Sequence, residues 1–434
     1  MQHMYIIADD LTGANDAGVQ LSKIGITSTV YLDSLAAPAK PDGDVAIIDT
    51  DTRAAGEQEA YDKVLQASTL FFQQGYHQVY KKMDSTLRGN VAAELAAVVS
   101  VHQPEVVVIA PAYPKMNRQT LDGYQHVHGQ RVSETEFGRD PKTPVKDSFI
   151  ENLFRPYAGQ QSIVLIDLTQ LHGPAERLVQ TIEEHAASGR TWFICDAATD
   201  DDLKEIAEVF VRAGKKTVWA GSAGLIEYLP ETLQLERTED CLEDRLRVAK
   251  TLTVSASLSQ VTKQQLENVR SLPDTCFVEM DPVDLIKRTY ALPDVMAAVA
   301  KEADKRHFVL FVDSSVNNRE ATKQLEAELS IGKTEIGETI SRELGAIARE
   351  ILGAYEDING LVLTGGDTAK AVCNQLNMNQ MQLCTEVEAG LPLGILRGGA
   401  DTREFWAVTK AGGFGNEHSL KNALIYMSGE DDWK

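Results

Sequence analysis

Short apolar runs alternate with longer amphipathic stretches along most of this chain. Each run is followed by a polar or glycine-containing turn and then by residues with helical period, which predicts repeated strand–turn–helix units. The strands predicted in the first part are residues 5–8, 27–32, 45–49, 78–82, 106–110, 163–168, 191–196 and 217–220. Because strands and helices alternate, we predict an α/β fold with a mostly parallel sheet and right-handed crossovers.

The alternation stops once and then restarts. Residues 231–250 are dense in charge and lack a strand pattern, which is typical of a domain boundary. We therefore predict two domains, 1–230 and 251–434, each with a mostly parallel sheet flanked by helices, and a linker over 231–250. The strands predicted in the second domain are residues 252–256, 276–279, 307–312 and 360–363.

One segment inside the first domain, residues 111–148, has almost no regular period. Structureless loops of this length are uncommon in compact domains and are often functional. The segment is also basic in an acidic chain, so we predict a lid or substrate clamp. It carries Arg118, Arg131, Arg139, Lys142 and Lys146, among others.

Composition narrows the class of partner. The 434 residues carry a formal net charge of −22, which argues against a nucleic-acid or anionic membrane surface as partner. A local cluster of Lys and Arg can still receive a small acidic substrate. The five cysteines form no CxxC pair, and no signal peptide or apolar stretch of membrane length is visible, so we expect a cytoplasmic protein.

Residues 6–16, IIADDLTGAND, place two carboxylates directly after a strand. Asp9 and Asp10 can bind substrate hydroxyls, act as a general base or hold Mg²⁺. The plainer interpretation is a helix N-cap, although one aspartate would suffice for that. For the cap itself we predict Thr12 or Asn15.

Residues 81–90, KKMDSTLRGN, combine positive charge with hydrogen-bonding groups after another strand. Lys82 and Asp84 share a face if the strand persists that far, and Lys or a bidentate Arg such as Arg88 suits a carboxylate. The alternative is a surface turn with a capped helix. Arg53, at the end of a third strand, is on its own more typical of a solvated side chain, but its position in the same sheet favours a role in the site.

The second domain contains the strongest nucleotide signal. In LVLTGGDTAKAV, residues 361–372, a glycine turn opens a helix, and backbone N–H groups at such a turn bind phosphate. AGGFG, residues 411–415, suggests a second loop on the same ligand, and the serines of VSASLS, residues 254–259, can reach phosphate or ribose. With the turns of the first domain, this pattern suggests an enzyme that holds two anionic ligands.

Taken in order, these stretches resemble the four-carbon acid sugar kinase family over nearly the whole chain. ADDLTGA, KMDSTLRGN, the segment that begins with PAYP, GRDPKTPVKDS, TGGDTA and AGGFG occur in the expected succession. The resemblance implies ATP-dependent phosphorylation of the 4-hydroxyl of a tetronate, an N-terminal substrate domain, a C-terminal nucleotide domain and a ligand cleft between them. It also implies ATP and Mg²⁺ as cofactors.

The resemblance also implies residue roles. Substrate contacts would be Asp10, Arg53, Lys82, Met83, Asp84, Ser85 and Arg88. ATP contacts would be Ser255, Ser257, Gly365, Gly366, Asp367, Thr368, Gly412 and Gly413. This chain has Ser-Ala-Ser where the family usually has a Gly-Ser pair, so the choice between the two serines stays open. For the catalytic base we favour Asp10, then Asp84, with Asp367 as a further alternative; the Mg²⁺ ligands stay unassigned.

Several functions remain in competition. D-Threonate is our first choice of substrate because GRDPKTPVKDS resembles the threonate and erythronate kinases more than the 3-oxo-tetronate kinases. D-Erythronate, a 3-oxo-tetronate and a non-catalytic sugar-acid binding protein are the alternatives. A dinucleotide-dependent oxidoreductase is disfavoured because no glycine run has the GxGxxG spacing. A homodimer is kept as an open expectation.

Overall fold

The computed structural model describes residues 4–32, 44–235, 245–257, 259–312, 316–329, 332–399 and 402–429. The chain divides into two compact units, Met1–Glu239 and Asp240–Lys434. Our linker, 231–250, lies partly outside the described residues, and the predicted domain bounds stay a prediction.

The first unit alternates strand and helix as predicted. Its strands are β1 (Met4–Ala8), β2 (Ser28–Tyr31), β3 (Val45–Asp49), β4 (Gln78–Lys82), β5 (Val106–Ala110), β6 (Arg118–Leu121), β7 (Tyr124–Val127), β8 (Gln130–Arg131), β9 (Ser162–Ile166), β10 (Thr191–Cys195) and β11 (Thr217–Gly221). Its helices are α1 (Leu11–Ser22), α2 (Glu57–Gln73), α3 (Val91–His102), α4 (Ile150–Ala158), α5 (Leu168–Leu171), α6 (Ala175–Ala187), α7 (Asp200–Arg212), α8 (Ala223–Ile226) and α9 (Leu229–Thr232).

The main sheet of this unit is wholly parallel among its described strands. Its order is β2-β3-β1-β4-β11-β5-β10-β9. Every residue of β1, β3 and β5 is buried, so both faces of the sheet centre are covered. A parallel sheet covered on both faces gathers polar side chains at the carboxyl ends of its strands, where ligands bind.

The expectation that residues 111–148 lack structure is wrong. β6, β7 and β8 form an antiparallel sheet; a short 3₁₀ segment precedes it at Pro114–Met116, and two more follow it at Val132–Glu134 and Glu136–Arg139. Two residue–glycine turns with positive φ join the strands: Asp122–Gly123 (52° and 75°) and His128–Gly129 (49° and 77°). Such turns are the hairpin signal that the sequence carried, but strands of two to four residues are too short to show a period.

The second unit continues the alternation and then changes to antiparallel pairing. Its strands are β12 (Lys250–Ser255), β13 (Thr275–Met280), β14 (His307–Val312), β15 (Ile358–Thr364), β16 (Met378–Glu386), β17 (Pro392–Gly398) and β18 (Phe405–Lys410). Its helices are α10 (Gln260–Val269), α11 (Pro282–Lys287), α12 (Leu292–Lys301), α13 (Val316–Leu329), α14 (Lys333–Ala354), α15 (Gly366–Gln375) and α16 (Ser419–Ser428).

In this unit β13-β14-β12-β15-β18 are parallel neighbours, and β17 and β16 follow as antiparallel strands. β18 lies beside β15. The AGGFG loop, which follows β18, therefore begins next to the glycine turn at residues 364–366. Our prediction missed β16 to β18. The run FWAVTK in β18, fully buried and rich in aromatic and β-branched residues, carried a strand signal.

Candidate functional site

Three parallel strands of the first unit end at one place. Ala8 pairs in register with Asp49 of β3 and with Lys82 of β4, so the residues that follow these strands lie together. Asp9 and Asp10 follow β1, and Arg53 follows β3. The structure therefore brings together residues that the sequence predicted separately.

Arg53 is the centre of this cluster. Its guanidinium donates to Asp9 through Nε (2.7 Å to Oδ2) and Nη2 (3.0 Å to Oδ1), and to Asp10 through Nη1 and Nη2 (2.9 Å to Oδ1). Asp9 is buried, whereas the Asp10 side chain retains 24% exposure. One guanidinium thus holds two adjacent carboxylates, of which only Asp10 remains accessible to a ligand.

The position of Arg53 is set by its backbone. Its N–H donates to the Asp9 carbonyl at 3.1 Å, and Asn90 Nδ2 donates to the Thr52 and Ala55 carbonyls, both at 2.9 Å. Gly89 has φ +87°, and a Cβ there would lie 3.1 Å from the Arg53 carbonyl oxygen. Gly89 therefore permits the KMDSTLRGN loop to lie directly on the Arg53 loop.

Asp10 also caps α1, which corrects our assignment of the cap to Thr12 or Asn15. Its Oδ1 accepts from Gly13 N at 2.7 Å. Thr12 and Asn15 lie inside the helix, because α1 begins directly after Asp10. The cap and the contact with Arg53 together fix the orientation of the Asp10 carboxylate.

Lys82 lies beside this carboxylate. A Cβ on Gly13 would lie 3.2 Å from Lys82 Nζ and 2.8 Å from Asp10 Oδ1, so the glycine leaves room for both groups. Lys82 Nζ donates to the Met83 carbonyl at 3.0 Å. β4 ends at Lys82, and Met83 is fully buried with its N–H donating to the Gly221 carbonyl at 2.8 Å.

Asp84 belongs to a second ion pair of the same loop. Its carboxylate accepts from Arg88 Nε at 2.7 Å and Nη2 at 3.3 Å and from the Thr86 hydroxyl. Arg88 Nη1 also donates to Asp140 at 3.5 Å. Arg53 Nη2 lies 3.9 Å from Asp84 Oδ1, which joins the two ion pairs into one network.

The three aspartates differ in their pKa values. Burial opposes ionisation of all three, but for Asp9 the charges of Arg53 and Lys81 outweigh it and hold the pKa below its ordinary value. For Asp84, Arg53 and Arg88 also outweigh burial, and its pKa lies far below the usual range. For Asp10, burial and the neighbouring Asp9 charge outweigh the attraction of Arg53 and raise the pKa. Asp10 is therefore the most basic carboxylate of the cluster.

A buried ion pair beneath the cluster was not anticipated. Lys81 Nζ lies 2.7 Å from Glu94 Oε2, and both side chains are completely buried. Lys81 also donates to the Lys82 carbonyl at 2.8 Å. The signal was the first lysine of KKMDSTLRGN, which alternation along β4 directs away from the site.

In the second unit, three further strand ends meet. Ser255 pairs in register with Thr364, and Thr364 with Lys410. The hydroxyl oxygens of Ser255 and Thr364 are buried, and neither has a hydrogen-bond partner within the part of the chain that the structure describes. Such orphaned hydroxyls at a strand end suit a ligand that supplies the missing bonds.

Ser255 and Ser257 differ in this respect. Ser257 Oγ accepts from Thr262 Oγ1 at 3.1 Å and from Ser259 N at 3.2 Å. These contacts stabilise the turn that leads into α10 and already use the Ser257 hydroxyl. The arrangement favours Ser255 as the ligand-binding serine.

The glycine turn and the AGGFG loop are held against each other. Gly365, with φ +101°, caps α15 and donates its N–H to the Lys410 carbonyl at 2.7 Å. Lys410 Nζ donates to the carbonyls of Ala411 (2.8 Å), Gly412 and Phe414 (both 3.1 Å), and burial lowers its pKa to about 8. Lys410 and Thr364 are site residues that our sequence reasoning missed.

The remaining predicted residues of this loop and turn stay open to solvent or begin the helix. A Cβ added at Gly366 or at Gly413 would lie in open space, with nothing within 4 Å. Asp367 is exposed at the first turn of α15, and Thr368 is buried there. Within the described ranges, no group of three or more His, Cys, Asp or Glu side chains is placed to hold a metal ion.

Comparison with known proteins assigns a role to each half of the chain. Residues 4–229 match the family described as sugar-binding N-terminal domain, and residues 252–420 match the nucleotide-binding C-terminal domain. The D-threonate kinase of Salmonella typhimurium is 32% identical over 430 residues, 98% of each chain. The D-erythronate kinase of Heliobacterium modesticaldum is 30% identical over 436 residues, 98% of this chain and 97% of that one.

The fold agrees with a solved structure. Haemophilus influenzae protein HI1011 superposes with a TM-score of 0.77 at 22% identity, over 98% of this chain and 99% of that one. Two matching domains define a protein that binds sugar with one half and nucleotide with the other. The chain belongs to the four-carbon acid sugar kinase family, which confirms the resemblance and the predicted α/β fold. Along the described residues, no helix has the length and apolar character needed to cross a membrane.

Proposed function

We propose that this protein is an ATP-dependent kinase that phosphorylates the 4-hydroxyl of D-threonate. Phosphoryl transfer to an alcohol follows from the family to which the chain belongs. D-Threonate is the substrate of the relative that is 32% identical over nearly the full length of both chains. The observation that carries the proposal is the pairing of Asp9 and Asp10 by Arg53 at the end of β1.

Asp10 is the proposed proton acceptor. It is the accessible carboxylate of the cluster, and burial together with the Asp9 charge raises its pKa, which makes it a better base than an ordinary aspartate. Asp84, our second candidate, has a pKa held far below the usual range despite its burial, because Arg53 and Arg88 face it. Asp84 therefore fits the role of fixing Arg53 and Arg88 better than that of a base.

The other cluster residues have supporting roles. Lys82 Nζ is close to Asp10, where an ammonium group can neutralise charge that develops on the transferred phosphoryl group. The backbone of Met83 and Ser85, rather than the buried Met83 side chain, would contact the sugar acid.

The nucleotide is assigned to the second unit. The N-terminus of α15, with Gly365, Gly366, Asp367 and Thr368, offers N–H groups to phosphate. Gly412, Gly413 and the Ser255 hydroxyl would complete this contact. The hydrogen bond from Gly365 N to the Lys410 carbonyl supports a single phosphate site formed by the glycine turn at residues 364–366 and the AGGFG loop.

Mg²⁺ is proposed as the companion of ATP. The Ser255 and Thr364 hydroxyls and the Asp367 carboxylate are oxygen donors, and Mg²⁺ bound mainly by phosphates and water needs only one or two such ligands. When bound, the ion would neutralise negative charge on the phosphates. The aspartates of the first unit fit less well, because Arg53, Lys82 and Arg88 already neutralise them.

D-Erythronate is the second candidate substrate, because the D-erythronate kinase relative is 30% identical over a similar length. We also infer a cytoplasmic location, in keeping with the thiols of Cys195, Cys276 and Cys373, none of which is in a disulfide.

The test is identification of the product. The protein is incubated with ATP, Mg²⁺ and D-threonate, and phosphorus–proton NMR correlation locates the new phosphate. Coupling to the C4 protons is expected. Phosphate at another carbon would contradict the assignment of the 4-hydroxyl, and binding of both ligands without any product would favour the non-catalytic alternative.

A further inference from the structure

The cations of the first unit are not equally available to an incoming carboxylate. Arg53 already faces Asp9 and Asp10, and Arg88 faces Asp84 and Asp140. A guanidinium that already pairs with two carboxylates has few N–H donors and little net positive charge available for a third. Lys82, whose Nζ donates to the Met83 carbonyl, is assigned above to the transferred phosphoryl group, so the sugar-acid carboxylate needs another partner.

Arg118 is a cation of a different kind. Its Nε is buried and has no hydrogen-bond partner among the described residues, and its Nη1 reaches only a carbonyl, that of Met116, at 3.3 Å. Burial lowers its pKa, because the attraction of Asp84 and Asp16 does not outweigh the loss of water and the repulsion of Arg88. Desolvated guanidinium N–H groups without an anion are costly unless a ligand supplies one.

The backbone holds Arg118 in place. Arg118 N donates to the Tyr113 carbonyl at 3.1 Å, and Tyr113 N donates back to the Arg118 carbonyl at 2.8 Å. As the first residue of β6, Arg118 pairs with Val127 of β7. Its position is therefore fixed by the small antiparallel sheet rather than by an ion pair.

This small sheet is attached to the substrate loop. Gln125 Nε2 of β7 donates to the Ser85 carbonyl at 2.6 Å, and the Arg88 guanidinium lies 5.1 Å from the centre of the Phe137 ring. Arg118 is close enough to the cluster to interact electrostatically with Asp84, which attracts it, and with Arg88, which repels it. The guanidinium thus lies beside the proposed site, in the unit that binds the sugar.

We propose that Arg118 binds the carboxylate of the sugar acid and so selects acids over neutral sugars. The role rests on the proposed function and changes our assignment of the carboxylate from Arg53, Lys82 or Arg88. Nε and one Nη of a guanidinium match two carboxylate oxygens, and the bidentate pair would satisfy the buried Nε. Arg53 then serves to orient the two aspartates.

The experiment compares an acid with its uncharged counterpart. Values of kcat/KM are measured for D-threonate and D-threonamide with the wild-type protein, Arg118→Gln and Arg118→Lys. Removal of one partner of a desolvated charge pair corresponds to a loss of about 10²- to 10³-fold. We expect this loss in Arg118→Gln for D-threonate only, with D-threonamide turnover and the KM for ATP nearly unchanged. Arg118→Lys should keep a preference for the acid.

Arg190 provides the matched control. It too is a partly buried arginine of this unit whose pKa is lowered by burial, and its Nε donates to the Pro104 carbonyl at 2.9 Å. It precedes β10, at the amino end of the sheet, so Arg190→Gln should leave both substrates unaffected.

The outcomes separate the two proposals. Equal losses for acid and amide in Arg118→Gln would overturn the role of Arg118. If that variant does not fold, Arg118→Lys decides, because a variant with no remaining preference for the acid would overturn the role in the same way. Absence of wild-type turnover with every tetronate would instead overturn the proposed function. In that case, calorimetric titration of D-threonate into the wild-type protein and into Arg118→Lys would show whether binding of the acid depends on Arg118; equal affinities would overturn its role.

Discussion

Two neighbouring aspartates behave differently because they share one arginine. Asp9 is buried and receives Arg53 and the field of Lys81, whereas Asp10 is accessible and feels the Asp9 charge. Two like charges this close cannot both ionise easily, so the pKa of Asp10 is raised, while the charges of Arg53 and Lys81 lower the pKa of Asp9. The same pairing provides one stable counter-ion for Arg53 and one basic carboxylate.

Replacement of Asp10 tests the basic carboxylate. Asp10→Asn keeps an oxygen for the α1 cap, and Asn is as good an N-cap as Asp, so folding should be retained. Loss of a general base lowers kcat by about 10²- to 10⁴-fold. We expect this loss in steady-state kinetics with little change in the KM for ATP.

The control is Asp62→Asn, an aspartate of α2 whose exposed side chain bonds only to Gln58 among the contacts described. It should have wild-type kinetics. A comparable fall in nucleotide affinity and turnover for Asp10→Asn would contradict the assigned role.

The pH dependence follows from the same pKa values. A base must be unprotonated, so kcat/KM for the sugar acid should fall as pH falls through the pKa of Asp10. Because burial and Asp9 raise that pKa, the fall should lie above the range of an ordinary aspartate. Asp9 and Asp84, whose pKa values are lowered, should remain ionised in that range. The fall of kcat/KM on the acid side of the profile should therefore correspond to the uptake of a single proton. A pH–rate profile that stays flat into the range of an ordinary carboxyl would contradict this.

At the scale of elements, β4 and α3 share a completely buried ion pair, Lys81–Glu94. Removing one partner leaves an uncompensated buried charge, which typically costs about 3–5 kcal/mol of the free energy of unfolding. We expect Glu94→Leu to show a loss of this size in urea denaturation, and Lys81→Met/Glu94→Leu to recover most of it.

An exposed pair on α2, Lys63–Glu59, offers the comparison. Lys63→Met should change the free energy of unfolding by less than about 1 kcal/mol. A similar small effect for Glu94→Leu would show that the buried pair does not support the β4–α3 packing.

The turn between β15 and α15 depends on the backbone of Gly365. Its φ of +101° is unfavourable for a residue with a Cβ, and strain of this kind costs about 1–3 kcal/mol. Gly365→Ala should therefore raise the KM for ATP by roughly 10-fold and leave the KM for the sugar acid unchanged. Gly353→Ala, at an exposed position of α14 with open space around the Cβ, is the control. Equal increases in both KM values would argue against a nucleotide role of this turn.

The elements that the sequence predicted well are those with a strong local signal. Residues 45–49, 78–82, 106–110 and 307–312 are strands with the predicted bounds. All but 78–82, which is QVYKK, are short runs dominated by apolar and β-branched residues. The hairpins of residues 118–131 were missed because their strands are short. That residues 111–148 act as a lid stays a prediction.

Long-range pairing was beyond local reasoning. Asp9, Asp10 and Arg53 could each be placed at a strand end, but their mutual contact spans more than 40 positions and depends on register. Burial of the Arg118 Nε could not be predicted either, since its surroundings come from the packing of the small sheet. Such features arise from tertiary structure rather than from propensity or period.

At the scale of the whole molecule, each unit gathers polar groups at the carboxyl ends of parallel strands. The first gathers Asp10, Arg53 and Lys82, and the second Ser255 and Gly365. A net charge of −22 is compatible with an anionic sugar acid because the cations Arg53, Lys82 and Arg88 lie at or just after strand ends of the first unit. The division of labour between a sugar-acid half and a nucleotide half matches the two families that cover the chain.

The most direct test of this account is ADP release from ATP and Mg²⁺ with a panel of acids. The panel contains D- and L-threonate, D- and L-erythronate and the 3-oxo-tetronates, with wild-type protein and Asp10→Asn side by side. We predict the highest kcat/KM with D-threonate and loss of that turnover in Asp10→Asn. Absence of acid-dependent ADP release with every member of the panel, from a protein that still binds ATP, would contradict the account.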